Sequence, residues 1–234
     1  GTRDPVSGAY SAAGNSQCSV QIRSQNPRPT NGRVSILAYA AGEEDFVDAN
    51  FNNVYDCGES FTDLGTAYRD DNENGSYDLG EFAVPRNAAP SACSTGVTPL
   101  PMSGDGVWGA ADVRRQAIII FSTSASSITG VFQNISGGIR SALDLVVKDL
   151  NGNSVATGSV VSINAYDQTS ENLLTCALVG PTLNDGSIRY TVGNSTAPDI
   201  YNVSFRSCRA TDVISVKVTS PLGLETTQRF PLPV

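Results

Sequence analysis

The chain contains no histidine. That removes the imidazole on which Ser–His and Cys–His nucleophile pairs depend, and the commonest nitrogen ligand of transition metals. No GxxxxGK[ST] segment and no GxGxxG after a strand occurs, so no phosphate-cradling loop is expected. No run of eighteen apolar residues is present, so no membrane-spanning helix is expected. The first ten residues, GTRDPVSGAY, lack the apolar stretch of a secretory leader, and the expectation is a mature or excised piece of a longer product. Positive charge is scarce: 15 Lys and Arg face 23 Asp and Glu, for a net charge of −8 and a pI near 4.5. Such a surface repels phosphate backbones, which argues against a nucleic-acid partner, and it attracts cations.

Cysteines are few and far apart. Cys18, Cys57, Cys93, Cys176 and Cys208 include no CxxC pair. Without histidine or close thiolates a zinc site has no ligand set. Widely spaced cysteines on a chain rich in Ser, Thr, Asn and Gly point instead to disulfides made outside the cytosol. The pairs expected are Cys176 with Cys208 and Cys57 with Cys93, with Cys18 a competitor for either of the latter two. Cys208 falls on the polar phase of its strand with Arg206, so that strand must end or bulge there.

What the chain does have is strand periodicity. Arg33–Ala41 is an expected strand, with Asn31-Gly32 before it and Gly42 after. Cys18–Ile22 is a weaker one. From Gln116 onward short segments alternate apolar and polar residues: Leu143, Leu145 and Val147; Val161, Ile163 and Ala165; Ile188, Tyr190 and Val192; Tyr201, Val203 and Phe205; Ile214, Val216 and Val218. Gln116–Ser122, Leu173–Val179 and Thr226–Leu232 complete the set. Turn signals stand between them at Asn151-Gly152, Asp185-Gly186 and Ser220-Pro221. About eight short strands without helical periodicity predict an all-β chain built on a β-sandwich. The division expected is residues 1–115, a β-rich part carrying an acidic insertion, and residues 116–234, the sandwich. Trp108, the single tryptophan, is expected to pack in a core.

The chemistry lies in residues 43–82, which are dense in Asp, Asn, Glu and Gly. FVDANFNNVYDCGE, residues 46–59, and YRDDNENGSYDLGE, residues 68–81, match at a constant offset of 22. Asp48 corresponds to Asp70, Asn50 to Asn72, Asn52 to Asn74, Asp56 to Asp78, and Glu59 to Glu81. Asp and Asn fill only 33 of the 234 positions, so the recurrence of this set in step is not chance. The spacing is that of a calcium loop of the EF-hand type. Such a loop takes oxygen ligands from positions 1, 3, 5, 7, 9 and 12, with a left-handed residue at position 6. The first loop, 48–59, offers Asp48, Asn50, Asn52, the carbonyl of Val54, Asp56 and Glu59. The second, 70–81, offers Asp70, Asn72, Asn74, the carbonyl of Ser76, Asp78 and Glu81. Position 6 is Asn53 in one and Gly75 in the other. Two calcium ions are therefore expected, with magnesium a weak competitor. Three carboxylates per loop imply dissociation constants of roughly 10⁻⁵ to 10⁻³ M. The flanks are not those of a helix–loop–helix: a strand enters, and only SFTDLGTAYR joins the loops. A structural cation is expected rather than a signalling one. Tyr55 and Tyr77, at position 8, are expected to pair across a short ribbon.

Residues 146–165, VVKDLNGNSVATGSVVSINA, resemble the strand–turn–strand of bacterial immunoglobulin-like domains of invasin- and intimin-type surface proteins. Lys148-Asp149 and Asn151-Gly152-Asn153 stand where that family carries its K-D-x-x-G-N turn; Ser154 replaces the family's proline. GRVSILAYAAGEEDF with the tandem DxNxN loops resembles a segment found beside such domains in large exported proteins. The resemblance implies an immunoglobulin-like fold, an extracellular or bacterial cell-surface location, and an adhesive or structural role. The implied partners are neighbouring domains of the parent chain and a host or cell-surface protein or glycan. An enzyme is not expected. The alternatives are a dockerin-like protein-binding module, which requires a helix after each loop, and a carbohydrate-binding or enzyme-accessory module, which requires a cleft lined by aromatic or acidic residues.

Overall fold

The computed structural model describes residues 19–85, 93, 102, 104–134, 140–169 and 176–232. It divides into two units, residues 1–30 and 31–234. Within the first, the expected strand at 18–22 does not form where it is described: residues 19–25 are irregular, with Val20 and Ile22 exposed, and Cys18 lies outside the described residues. Two alternating apolar side chains without a partner strand bury nothing, so local β-propensity is not enough.

Among the described residues every regular element of the second unit is a strand: β1 Arg33–Glu43, β2 Ala110–Ile120, β3 Ser126–Asn134, β4 Arg140–Asp149, β5 Val160–Asp167, β6 Ala177–Val179, β7 Ile188–Thr191, β8 Asp199–Arg206, β9 Asp212–Thr219 and β10 Glu225–Pro231. β3 to β10 form two four-stranded antiparallel sheets, ordered β3-β4-β8-β6 and β10-β9-β5-β7. Their inward faces share one core. Leu143, Leu145 and Val147 of β4 and Val203 and Phe205 of β8 meet Val161 and Ile163 of β5, Ile188 of β7 and Ile214, Val216 and Val218 of β9. These are the alternating residues of the sequence, and alternation buries one face of each strand. The chain is all-β, and the layered sheets make a sandwich.

β3 is absent from the alternation pattern because Gly130 interrupts it. A Cβ there would come within 2.9 Å of the Phe230 ring and 3.0 Å of a Leu143 methyl. The glycine marks a close approach between β3 and its neighbours rather than a turn.

β1 and β2 pair in register from Arg33↔Ile120 to Glu43↔Ala110 as a two-stranded ribbon. The expected division at 115/116 falls inside β2. The apolar half of β2, Ile118–Ile120, lies next to the sandwich end, and the polar half, Ala110–Arg115, lies at the loop end, so the change of texture runs along one strand. The ribbon carries both acidic loops between its strands. Its base meets the turn after β4, where the K-D-x-x-G-N residues sit. Asp149 is buried and its carboxylate accepts three backbone N–H groups, from Asn151 at 2.9 Å, Asn153 at 2.8 Å and Thr123 at 3.0 Å. That explains an aspartate at this position: one carboxylate closes the turn and ties it to the chain arriving from β2.

The two expected disulfides are present. Cys57–Cys93 and Cys176–Cys208 have Cα atoms 5.4 and 3.9 Å apart. β8 ends at Arg206, before Cys208, and Ser207 adopts φ 59°. The strand thus stops where its alternation fails. Of Leu173–Val179 only Ala177–Val179 is described as strand; residues 170–175 are outside the described residues.

Candidate metal centre

Each acidic loop is pinched at its base by a short antiparallel bridge. Phe46 bridges Phe61 around the first loop, and Tyr68 bridges Ala83 around the second. The backbone bonds at the bases are equivalent: Val47 N to Ser60 O and Arg69 N to Phe82 O, both 2.8 Å. The repeat in sequence is therefore a repeat in structure.

Inside, the correspondence continues bond by bond. The Asp48 carboxylate accepts the N–H groups of Asn52 and Asn53, at 3.2 and 2.7 Å, and Asp70 accepts those of Asn74 and Gly75, at 3.1 and 2.7 Å. Position 6 is left-handed in both, with φ 59° at Asn53 and 80° at Gly75. Asn and Gly are the residues that tolerate this region. At position 12, Glu59 reaches back across the loop. Its two oxygens take Ala49 N at 2.8 Å and Asp56 N at 2.9 Å. Glu81 does the same with Asp71 N at 2.7 Å and Asp78 N at 2.9 Å. The amides at positions 3 and 5 converge on position 9: Asn50 and Asn52 donate to one oxygen of Asp56, and Asn72 and Asn74 to one oxygen of Asp78, all at 2.6–2.8 Å. Each Asn Oδ1 takes the N–H two residues on, and a carbonyl oxygen has a second lone pair to offer.

All side-chain donors gathered here are oxygens of Asp, Asn and Glu, with no sulfur or imidazole. That set suits a hard divalent cation and fits the expected calcium. The carboxylates of one loop are not drawn together into a tight cluster. They are spaced around it, with amide groups between them. The one place among the described residues where three carboxylates approach within 4.8 Å is elsewhere, at Glu44, Asp63 and Asp105. The sequence reading missed this group because its members are separated along the chain and match no loop spacing. Glu44 is buried; its oxygens accept Leu64 N at 2.8 Å and Gly109 N at 3.1 Å. Asp63 accepts Asp105 N and Gly106 N at 3.0 and 2.7 Å. Burial pushes the Glu44 carboxyl above its usual range; the two backbone donors oppose this, and the charges of Asp63 and Asp105 add to it. A second cluster joins Asp212 to the sulfurs of the Cys176–Cys208 disulfide, and a disulfide offers no thiolate.

The two loops are mounted differently. The first rests on aromatic rings. Tyr55 stacks on Trp108 with centroids 4.7 Å apart and meets Phe46 and Phe61 edge-on at 5.7 and 5.9 Å. Trp108 donates its Nε1–H to Glu44 O at 2.8 Å. The tryptophan thus packs, as expected, but in a small cluster under the loop, apart from the sandwich core. Cys57–Cys93 ties the same loop to a later segment. The second loop rests on the ribbon. Gln116 of β2 clamps the main chain of Asp70, accepting its N–H at 2.9 Å and donating to its carbonyl at 2.8 Å, and Ser35 of β1 donates to the same carbonyl at 3.0 Å. Tyr77 packs on Tyr68, at 5.8 Å. The expected pairing of Tyr55 with Tyr77 does not occur: Tyr55 packs on Trp108, Phe46 and Phe61 under the first loop and Tyr77 on Tyr68 at the base of the second, because each loop is closed by its own bridge.

Glu73, at position 4 of the second loop, holds Arg33 in a two-pronged ion pair at 2.5 and 2.6 Å. The Arg33 hydrogen bond holds the Glu73 carboxyl below the usual range, and Glu73 raises the Arg33 guanidinium in turn. A groove beside this point is lined by Ile118, Ile120, Phe121, Val155, Ala156 and Thr196 among others, and none of its lining residues titrates. Comparison of the chain with known protein families, with curated proteins and with solved structures finds no match.

Proposed function

We propose that the chain is a calcium-stabilised structural and adhesive module of a larger secreted or surface-anchored bacterial protein. The observation that carries this reading is the bond-by-bond equivalence of the two loops. The same six positions recur 22 residues apart, with the same closing bonds and the same left-handed position 6. Two disulfides belong to an oxidising compartment, where calcium is abundant enough to fill sites of modest affinity. No helix among the described residues is long and apolar enough to cross a membrane. The dockerin-like alternative needs a helix after each loop, and among the described residues none follows either. The K-D-x-x-G-N turn and the antiparallel sandwich support the immunoglobulin-like assignment.

The cation's role in this reading is mechanical. Residues 43–82 contain few aliphatic side chains, so burial contributes little to ordering them. Two bound divalent cations would offset about four of the six negative charges that the expected ligands carry, and hold the loops closed. The test is hydrogen exchange on the whole chain in calcium and in chelator. Amides of residues 43–82 are expected to exchange faster in chelator, while the strands β4, β5, β8 and β9 stay protected. A uniform response of loops and sandwich would contradict the local role, and catalytic turnover on any substrate would contradict the structural one.

A further inference from the structure

The two loops share a backbone but differ at position 4. Phe51 in the first has φ 60° and points into solvent, 87 % exposed. Glu73 in the second has φ 62° and grips Arg33. The same guanidinium also reaches the sandwich. Its Nη1 donates to Asn153 Oδ1 at 2.8 Å and to the Thr196 carbonyl at 3.0 Å. Asn153, in the turn after β4, donates its own amide to Asn31 O at 2.7 Å, at the start of the ribbon. One side chain therefore joins the second loop, the foot of the ribbon, the turn 150–154 and the segment 194–197 that precedes β8.

We propose that Arg33 is a latch that couples cation binding in the second loop to the joint between ribbon and sandwich. This rests on the reading of that loop as a cation site. The geometry supplies the coupling. Glu73 is presented to Arg33 from a left-handed backbone position between Asn72 and Asn74, two of the expected ligands. Phe51 keeps the same conformation at this position while standing in solvent, so it is the fold of the loop that sets it. A loop ordered by a cation keeps Glu73 in place, Glu73 keeps Arg33 in its fork, and the fork's remaining N–H groups hold Asn153 and Thr196. A loosened loop releases the first link, and the joint loses its cross-brace. Among the described residues the first loop has no such connection, so the two sites have different tasks. The first steadies the aromatic cluster around Trp108. The second sets how rigidly the acidic region stands on the sandwich. Arginine is required, because only a planar fork serves a carboxylate and two carbonyl oxygens at once; a lysine is a single point of charge.

The experiment is amide hydrogen exchange on the full chain, with calcium chloride as the probe, in the unaltered protein and in Glu59→Gln, Glu81→Gln, Arg33→Met and Arg33→Lys. In the unaltered protein and in Glu59→Gln, calcium is expected to slow exchange at 150–154 and 194–197 by roughly five- to tenfold, the low end of coupling between linked sites. In Glu81→Gln that remote response is lost. In Arg33→Met and Arg33→Lys it is lost while residues 70–81 still gain protection. Linkage is reciprocal, so adding Arg33→Met to Glu59→Gln weakens the remaining calcium site by the same factor. A remote response that survives both Arg33 substitutions overturns the latch, as does its absence from the unaltered protein when 70–81 responds. No calcium response within 70–81 itself refutes the cation reading, and the latch with it.

Discussion

Replacing Asp149 by alanine tests the buried carboxylate that closes the turn after β4. Its side chain is 1 % exposed and serves the N–H groups of Thr123, Asn151 and Asn153. Asn151 is exposed and its N–H regains water. Asn153 is buried and Thr123 half-buried, so their donors are left without a partner. Each orphaned donor costs about 1–3 kcal/mol, so the two together cost about 2–6 kcal/mol. For a chain of this length each kcal/mol lowers the melting temperature by about 2–4 °C, which gives a fall of roughly 4–24 °C. Asp149→Asn keeps one acceptor oxygen and is expected to lose about half as much. Thermal unfolding followed by circular dichroism, in calcium throughout, gives the numbers. A loss below about 0.5 kcal/mol in Asp149→Ala, the size of an ordinary surface substitution, would refute the claim that this carboxylate closes the turn.

Glu59→Gln and Glu81→Gln should each remove one calcium-dependent increment of stability, about 2.7 kcal/mol where calcium stands a hundredfold above the dissociation constant, read as the melting difference between calcium and chelator; equal increments in all variants would argue against position 12 as a ligand. Replacing Cys176 and Cys208 by serine should cost about 3–4 kcal/mol, from a 32-residue separation in the chain-entropy account, and non-reducing peptide maps should lose that cross-link alone. Burial, with Asp199 and Tyr190 beside it, pushes the Tyr201 hydroxyl up to about 12. The unfolded chain then gives up this proton near pH 10 and the folded chain does not, so stability falls as pH rises from about 10 to about 12. Tyr201→Phe should flatten that fall in a denaturant titration, and an unchanged slope would show that the tyrosine is not responsible.

Much of the sandwich was legible because period-two burial writes itself into the chain. Leu143, Leu145 and Val147, or Ile214, Val216 and Val218, name the inward face before any coordinates. The acidic loops were legible for a different reason: the residues expected as ligands sit at fixed local spacing, and a duplication repeats the pattern. What stayed hidden was long-range. β3 was obscured by Gly130, whose role appears only when Phe230 and Leu143 are seen against it. The ribbon's extent through Ala110 was hidden because a two-stranded element with half-exposed faces shows no clean alternation. Glu44, Asp63 and Asp105 come together from three segments, and Arg33 meets Glu73, Asn153 and Thr196 across 40, 120 and 163 residues. Contacts of that separation leave no local signature. The expected Tyr55–Tyr77 pairing failed on the same ground: it assumed that two loops joined by ten residues face each other, whereas each is closed at its own base.

The central claim is that residues 48–59 and 70–81 are calcium sites, and calorimetric titration of the chelator-stripped full chain with calcium chloride tests it most directly. The account expects two ions per chain with dissociation constants of roughly 10⁻⁵ to 10⁻³ M. It expects one ion in Glu59→Gln or Glu81→Gln, none in the double variant, and weaker uptake of magnesium. Absence of saturable calcium uptake in the unaltered chain, or two ions still bound by the double variant, would contradict it.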